Sequence, residues 1–290
     1  MHVGVVFPQT EIGADPGGVA DYARAAEAAG YTHLLAYDHV LGAFPDRPGG
    51  FRGPYNHDTL FHEPLVLFGY LAGITQRLEL VTGILILPQR QTALVAKQAA
   101  EVDVLSRGRL RLGVGVGWNA VEYEALGERF RTRGRRVEEQ IALLRELWAK
   151  PVVTFEGRHH RVTLAGIKPL PPRATIPIWV GGMSEPVLER IGRIGDGWFP
   201  QYREPAQLAE GVARIHASAR AAGRDPAAIG IEPRVVMGAD AAVAVESAYR
   251  WREAGATHLT VNTMGQGFDT PARHIAAIEE FRRAWDASAK

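Results

Sequence analysis

The chain of 290 residues contains no cysteine. That absence removes disulfides, thiolate metal ligands and thiol nucleophiles, and it fits a reducing compartment. Charge of one sign is also missing. The formal net charge is +1 at pH 7, so no global field draws the chain to nucleic acid or to an anionic membrane. No apolar run reaches spanning length, and the opening "MHVGVVFP" lacks the basic start and long apolar core of a signal peptide. A cytoplasmic protein is expected, without a nucleic-acid or membrane partner. Neither a Walker loop nor a G-x-S-x-G elbow occurs. Metal patterns are equally thin. His62 in "HEPLV" lacks the second histidine of H-E-x-x-H, and the adjacent His159 and His160 point to opposite faces of an extended chain. No metal is expected.

What is present is an ordinary globular composition, 46% hydrophobic and 22% charged. Apolar, β-branched runs recur at 2–8, 33–40, 78–88, 109–118, 176–182, 197–202, 229–237 and 258–264. Between them lie segments of helical period such as "GGVADYARAAEAAG", "ALVAKQAAEVDVLS", "EEQIALLRELWAK" and "PARHIAAIEEFRRAW". Pro64, Pro186, Pro205 and Pro271 stand where a first helical turn begins, a position at which the missing N–H costs nothing. Eight strands alternating with eight helices imply parallel pairing through crossover units. The economical closure is an α/β fold of the (β/α)8 type, a TIM barrel, with an open doubly wound sheet as the alternative. A single domain over 1–290 is expected. Its insertions fall at about 41–62 after the second strand, rich in Gly, Pro and aromatics and resembling a lid, and at about 151–176 after the fourth helix, where a hairpin is expected.

In such barrels chemistry gathers where strands deliver into their following loops. Those ends hold Gln9, Asp38 and His39, Gly83 to Gln89, Gly117-Trp118-Asn119, Gly181 to Ser184, Gln201, Arg234, and Asn262-Thr263. In "RLRLGVGVGWNAVEYEALG" the glycines at 113, 115 and 117 alternate, and Trp118 stands where a dinucleotide fingerprint needs its third glycine, so that fingerprint fails. Alternation strips one strand face of side chains. Each glycine costs roughly 0.5–1 kcal/mol relative to alanine. Either the barrel interior is crowded at that layer or a flat ligand packs there. Glu122, three residues after Asn119, is expected to complete a capping box. In "WVGGMSEP" two glycines precede a helix start at Ser184. Bare N–H groups there would bind phosphate, or the residues form a plain turn and N-cap. The arginines of "RFRTRGRR" (129–136) form a solvated helix face or hold an extended anionic tail.

Taken in order, these stretches resemble the luciferase-like monooxygenase family, in particular its branch that uses the deazaflavin coenzyme F420. The likeness runs through "GVVFPQ", "DHV", "EPLVLFGYLAGITQRLELVTGILILPQR", "AKQAAEVDVLSRGRLRLGVGVGW", "RGRRVEEQIALLRELW", "GIKPLPP" and "IPIWVGGMSEPVLERIGRIGDGW", most of residues 1–200. The resemblance implies a (β/α)8 barrel whose third strand carries a bulge with a non-prolyl cis peptide, here Gly83-Ile84, supporting one face of the cofactor ring. The ring would lie near Asp38 and His39, and the bare strand face ending at Gly117 would give it clearance. The cofactor phosphate would meet Gly181, Gly182, Met183 and Ser184. His39 aligns with a histidine beside the reacting ring carbon, and imidazole is the side chain suited to proton transfer near neutral pH. The sugar-phosphate dehydrogenase branch has a tryptophan four residues after that histidine and a glutamate after the fourth-strand glycines. Ala43 and Trp118 stand there instead, which argues against that substrate and leaves the second acid or base unassigned.

The resemblance thus implies an F420-dependent oxidoreductase moving a hydride between the deazaflavin and an unidentified small molecule. The deazaflavin carries carbon in place of the flavin's reactive nitrogen and reacts poorly with oxygen. An FMN-dependent monooxygenase and a non-catalytic flavin-binding barrel are the alternatives. A phosphate-binding isomerase or aldolase ranks last, because no lysine ends a strand to form a Schiff base. Family members pair through helices beside the second and third strands, so a homodimer is expected.

Overall fold

The computed structural model describes residues 1–288. Parallel strands follow one another as β1 (His2–Val6), β2 (His33–Ala36), β3 (Glu79–Thr82) with its continuation β4 (Leu85–Ile86), and β5 (Leu110–Gly115). An antiparallel hairpin, β6 (Val153–Glu156) and β7 (Arg161–Ala165), stands apart. The sheet resumes with β8 (Ile178–Gly181), β9 (Gly197–Phe199), β10 (Gly230–Ile231), β11 (Arg234–Val236) and β12 (His258–Asn262). Counting β3 with β4 and β10 with β11, these are the eight runs read from the sequence. The seam closes within one run: β10 pairs with β9, while β11 pairs with β12 at Val235 opposite Val261. Between them, Glu232 N donates to Trp198 O, and Thr257 N donates to Ile231 O. The result is a (β/α)8 barrel.

The helices are α1 (Pro16–Ala28), α2 (Pro64–Ile74), α3 (Thr92–Leu105), α4 (Ala120–Ala125), α5 (Arg133–Ala149), α6 (Glu185–Ile194), α7 (Leu208–Ala221), α8 (Ala241–Glu253) and α9 (Pro271–Ser288). Pro64 and Pro271 are first residues, and Pro186 sits in the first turn of α6. Pro205 instead opens a short 3-10 turn that leads into α7. Side-chain caps satisfy first-turn donors: Asp15 accepts from Gly18 N and Glu63 from Val66 N.

Strand alternation sorts the core into two. Leu112 and Val114 face the helices within the large outer cluster, whereas Val6, Leu35, Val81, Trp179 and Phe199 fill the lumen. Below them lies a buried ionic layer. Arg111 is wedged over the Trp179 ring at 4.3 Å and donates to Glu232 and to Glu79, while His33 Nε2 lies 2.9 Å from Glu232. Burial alone would raise the Glu232 carboxyl; Arg111 and His33 hold it far below the usual range instead. This layer plugs the bottom of the barrel and leaves the strand C-termini as the open end. Residues 41–62 run over that end without helix or strand, and the β6–β7 hairpin is pinned by His160 between Glu139 and Thr92, at 2.7 and 2.8 Å.

Candidate active site

Beyond β2 the chain continues as Tyr37-Asp38-His39, and alternation turns Asp38 away from its neighbours. Asp38 is 3% exposed, and protein donors occupy both its oxygens: Arg90 bridges them at 2.7 and 2.8 Å, and Ile86 N donates at 2.9 Å. The carboxylate therefore ties the end of β2 to the turn after β4. His39 faces the mouth.

Glu122 is the residue the sequence reading misplaced. No capping box forms. Asn119 caps α4 alone, accepting from Val121 N. Glu122, 1% exposed, turns inward and sets Oε2 3.2 Å from His39 Nδ1 and Oε1 2.8 Å from Val40 N. A carboxylate can only accept, so Nδ1 carries the proton and Nε2 is presented to the mouth without a protein partner among the described residues. Burial pushes the Glu122 carboxyl up. The hydrogen bond and charge of His39, together with the N–H groups of Val40 and Leu41, outweigh it and hold the group below its usual range.

Around this pair the 41–62 segment builds a cavity of about 330 Å³, lined by His39, Tyr55, Phe61, Trp118 and Asn119 among others. The His39 ring lies 5.0 Å from Tyr55, 4.7 Å from Phe61 and 6.0 Å from Trp118, with Phe51 stacked on Trp118. The segment is tied to α4 by Arg47, which donates to Glu124 at 3.2 Å, and is closed on itself by His57 N donating to Ala43 O. Gly42 lets it fold on itself, since a Cβ there would fall 2.0 Å from Asn56 O.

The Gly83-Ile84 peptide is cis, at the break between β3 and β4. The alternating glycines make room for this bulge, the crowded-layer alternative of the sequence reading. A Cβ on Gly113 would lie 1.9 Å from Thr82 O, one on Gly115 1.8 Å from Ile84 Cδ1, and one on Gly117 2.8 Å from Ile86 Cγ2. Gly181 gives the same clearance at 3.0 Å from Ile84 Cγ2. Gly83, Ile84, Gly117 and Gly181 thus share one wall of the mouth. Gly182, at φ +132°, turns the chain, and its carbonyl accepts from Trp198 Nε1 at 2.8 Å. Met183 and Ser184 are exposed at the start of α6, and the Ser184 hydroxyl makes no cap bond.

The arginine cluster divides. Arg136 is buried against Glu128 and Pro88 O, and Arg133 lies 3.7 Å over the Phe130 ring. Arg129, Arg131 and Arg135 are exposed.

Residues 1–289 match the family model described as luciferase-like monooxygenase. The F420-dependent hydroxymycolic acid dehydrogenase of Mycobacterium tuberculosis is 32% identical over 258 residues, 86% of this chain and 66% of that one. Among solved structures, an F420-dependent secondary alcohol dehydrogenase in complex with an F420-acetone adduct superposes with a TM-score of 0.81 at 18% identity, covering 98% of each chain. A riboflavin lyase with modified FMN and riboflavin gives 0.72 at 21%, over 88% of this chain and 66% of that one.

Proposed function

The chain belongs to the luciferase-like monooxygenase family, and on that premise we propose that it is an F420-dependent oxidoreductase moving a hydride between the deazaflavin and a small organic substrate. The carrying observation is the His39–Glu122 pair. A buried carboxylate fixes one imidazole nitrogen and leaves the other open at the floor of an aromatic cavity. The choice of deazaflavin follows the dehydrogenase relative and the exposed Arg129, Arg131 and Arg135, which suit an anionic tail.

The residues present fit such a group. The bulge at Gly83-Ile84 offers a flat, uncharged wall. The Gly182-Met183-Ser184 turn stands at a helix start with Met183 and Ser184 exposed, a place suited to a phosphate. When bound, the deazaflavin supplies the hydride-accepting or hydride-donating carbon. His39 Nε2 takes or returns the proton that accompanies hydride transfer at a C–O or C–N bond. Glu122 holds the ring in register and steadies its charged form. Tyr55, Phe61 and Trp118 exclude water and orient the substrate, with the 41–62 segment serving as lid.

The second reading, an FMN-dependent monooxygenase, draws on the riboflavin lyase likeness. Oxygen consumption separates the two. Substrate oxidation with F420 should proceed at the same rate under nitrogen as under air, and dependence on dioxygen would overturn the proposal. A non-catalytic barrel would not need the His39–Glu122 pair. We assign the protein to the cytoplasm as a homodimer. Apolar positions ring the whole of α2, and Val66 and Tyr70 stand 70% and 44% exposed on its outer face, the pattern of a helix that expects a partner. Gel filtration should show a dimer.

A further inference from the structure

Arg234 opens β11 and is absorbed by none of the roles above. Its neighbour Val235 packs in the outer cluster, so Arg234 points into the lumen. The contact it makes there confirms the direction, since Nη1 donates to the Tyr37 hydroxyl at 3.2 Å, and Tyr37 packs on the lumen cluster. That is one bond for a group with five N–H donors. Among the described residues no carboxylate pairs with it. Glu232, two residues earlier on the same face, is spent on Arg111, His33 and Thr260 below. Tyr55 of the 41–62 segment lies within electrostatic reach of the pair: burial pushes its phenol up, Tyr37 adds to the rise and the Arg234 charge opposes it. Tyr55 also contacts the His39 ring. The Arg234–Tyr37 pair thus stands in the lumen, and Tyr55 and His39 line the cavity at its open end. Val236, 54% exposed, leaves the space beside Arg234 open.

We propose that Arg234 is the recognition site for a carboxylate on the substrate, gripped by the guanidinium fork and by the hydroxyls of Tyr37 and Tyr55, so that the substrate class is a small organic acid whose reacting carbon lies toward His39. Arginine suits this because its planar donors match a carboxylate in pairs, and a charge-assisted pair in a partly desolvated mouth is stronger than a neutral one. The assignment deepens the redox reading by naming the substrate class, but its test needs no redox cofactor, so the two can fail separately.

The probe is benzoate, with neutral benzamide as its near-isostere, titrated into the protein without added cofactor in a low-chloride buffer. Tryptophan fluorescence is the signal, since Trp118 is 46% exposed on the cavity wall. Benzoate should bind at least about tenfold tighter than benzamide, and Arg234→Gln should remove that preference, with Arg234→Lys intermediate. Equal affinity of the wild-type protein for the two probes overturns the proposal, and that comparison stands even if the variants do not fold. Benzoate binding that survives Arg234→Gln overturns it as well. If benzoate does not bind while Arg234→Gln weakens F420 or FMN binding, Arg234 contacts the cofactor ring and the substrate assignment falls.

Discussion

Replacing Glu122 with alanine removes the acceptor for His39 Nδ1 at 3.2 Å and for Val40 N at 2.8 Å, in a position 1% exposed. Each buried donor left unpaired costs about 1–3 kcal/mol. Water entering the vacated space recovers part of that, so a loss of roughly 2–4 kcal/mol is expected. With an unfolding entropy of about 2 cal/mol/K per residue, a chain of 290 residues loses roughly 2 °C of Tm per kcal/mol. Glu122→Ala should therefore melt roughly 4–8 °C lower in a scanning calorimeter. Glu122→Gln keeps the shape but turns an amide donor toward one of these donors, and should lose about half as much. A double-mutant cycle with His39→Gln should return a coupling of about 1–2 kcal/mol. Because the fold holds this carboxyl below its free value of 4.5, the stability it adds is present above that pH and disappears as the pH falls below it. The gap between wild type and Glu122→Gln should close correspondingly in acid. An unchanged Tm for Glu122→Ala, or zero coupling to His39, would refute the assignment of Glu122 as the histidine's anchor.

Gly113→Ala drives its new Cβ to 1.9 Å from the Thr82 carbonyl, which cannot swing aside, while Gly115→Ala meets the terminal methyl of Ile84, which can. Thermal melts should show a loss of about 1–3 kcal/mol or more for the first and clearly less for the second; the reverse order would mean the glycines serve something other than the bulge. His258 is pushed down to about 3, mainly by burial and then by the Arg111 charge. The unfolded chain takes up this proton near pH 6.5 and the folded chain does not, so stability should erode as the pH falls from about 6.5 toward 3, by at most about 4–5 kcal/mol. Denaturant titrations of His258→Asn should show a flatter profile across that window, and an unchanged slope would place the acid sensitivity elsewhere.

Much of the architecture was legible because parallel barrel strands, buried on both faces, leave unbroken apolar runs. The same runs hid the breaks. Residues 78–88 and 229–237 read as single strands, yet one is divided at Gly83-Ile84 and the other at Glu232-Pro233, where hydrogen-bonding partners change. Glu122 was opaque for a different reason. Asn-x-x-Glu is the pattern of a capping box whether or not the glutamate turns back, and its real partner lies 83 residues away, just beyond β2. The spacing of the glycines announced a crowded layer but not its occupant. Gly113 and Gly115 are small because Thr82 and Ile84 come close, and that approach belongs to the β3–β4 break. For Arg234, strand position alone could not reveal that Glu232 is consumed below it and that a phenol is its partner among the described residues.

The most direct test of the central claim is a paired titration of the purified protein with oxidised F420 and with FMN, followed by ring absorbance or fluorescence. Micromolar binding of F420, with FMN at least tenfold weaker, is the predicted result. Tight binding of FMN with weak binding of F420 would contradict the hydride-transfer account and transfer the chain to oxygen-dependent chemistry.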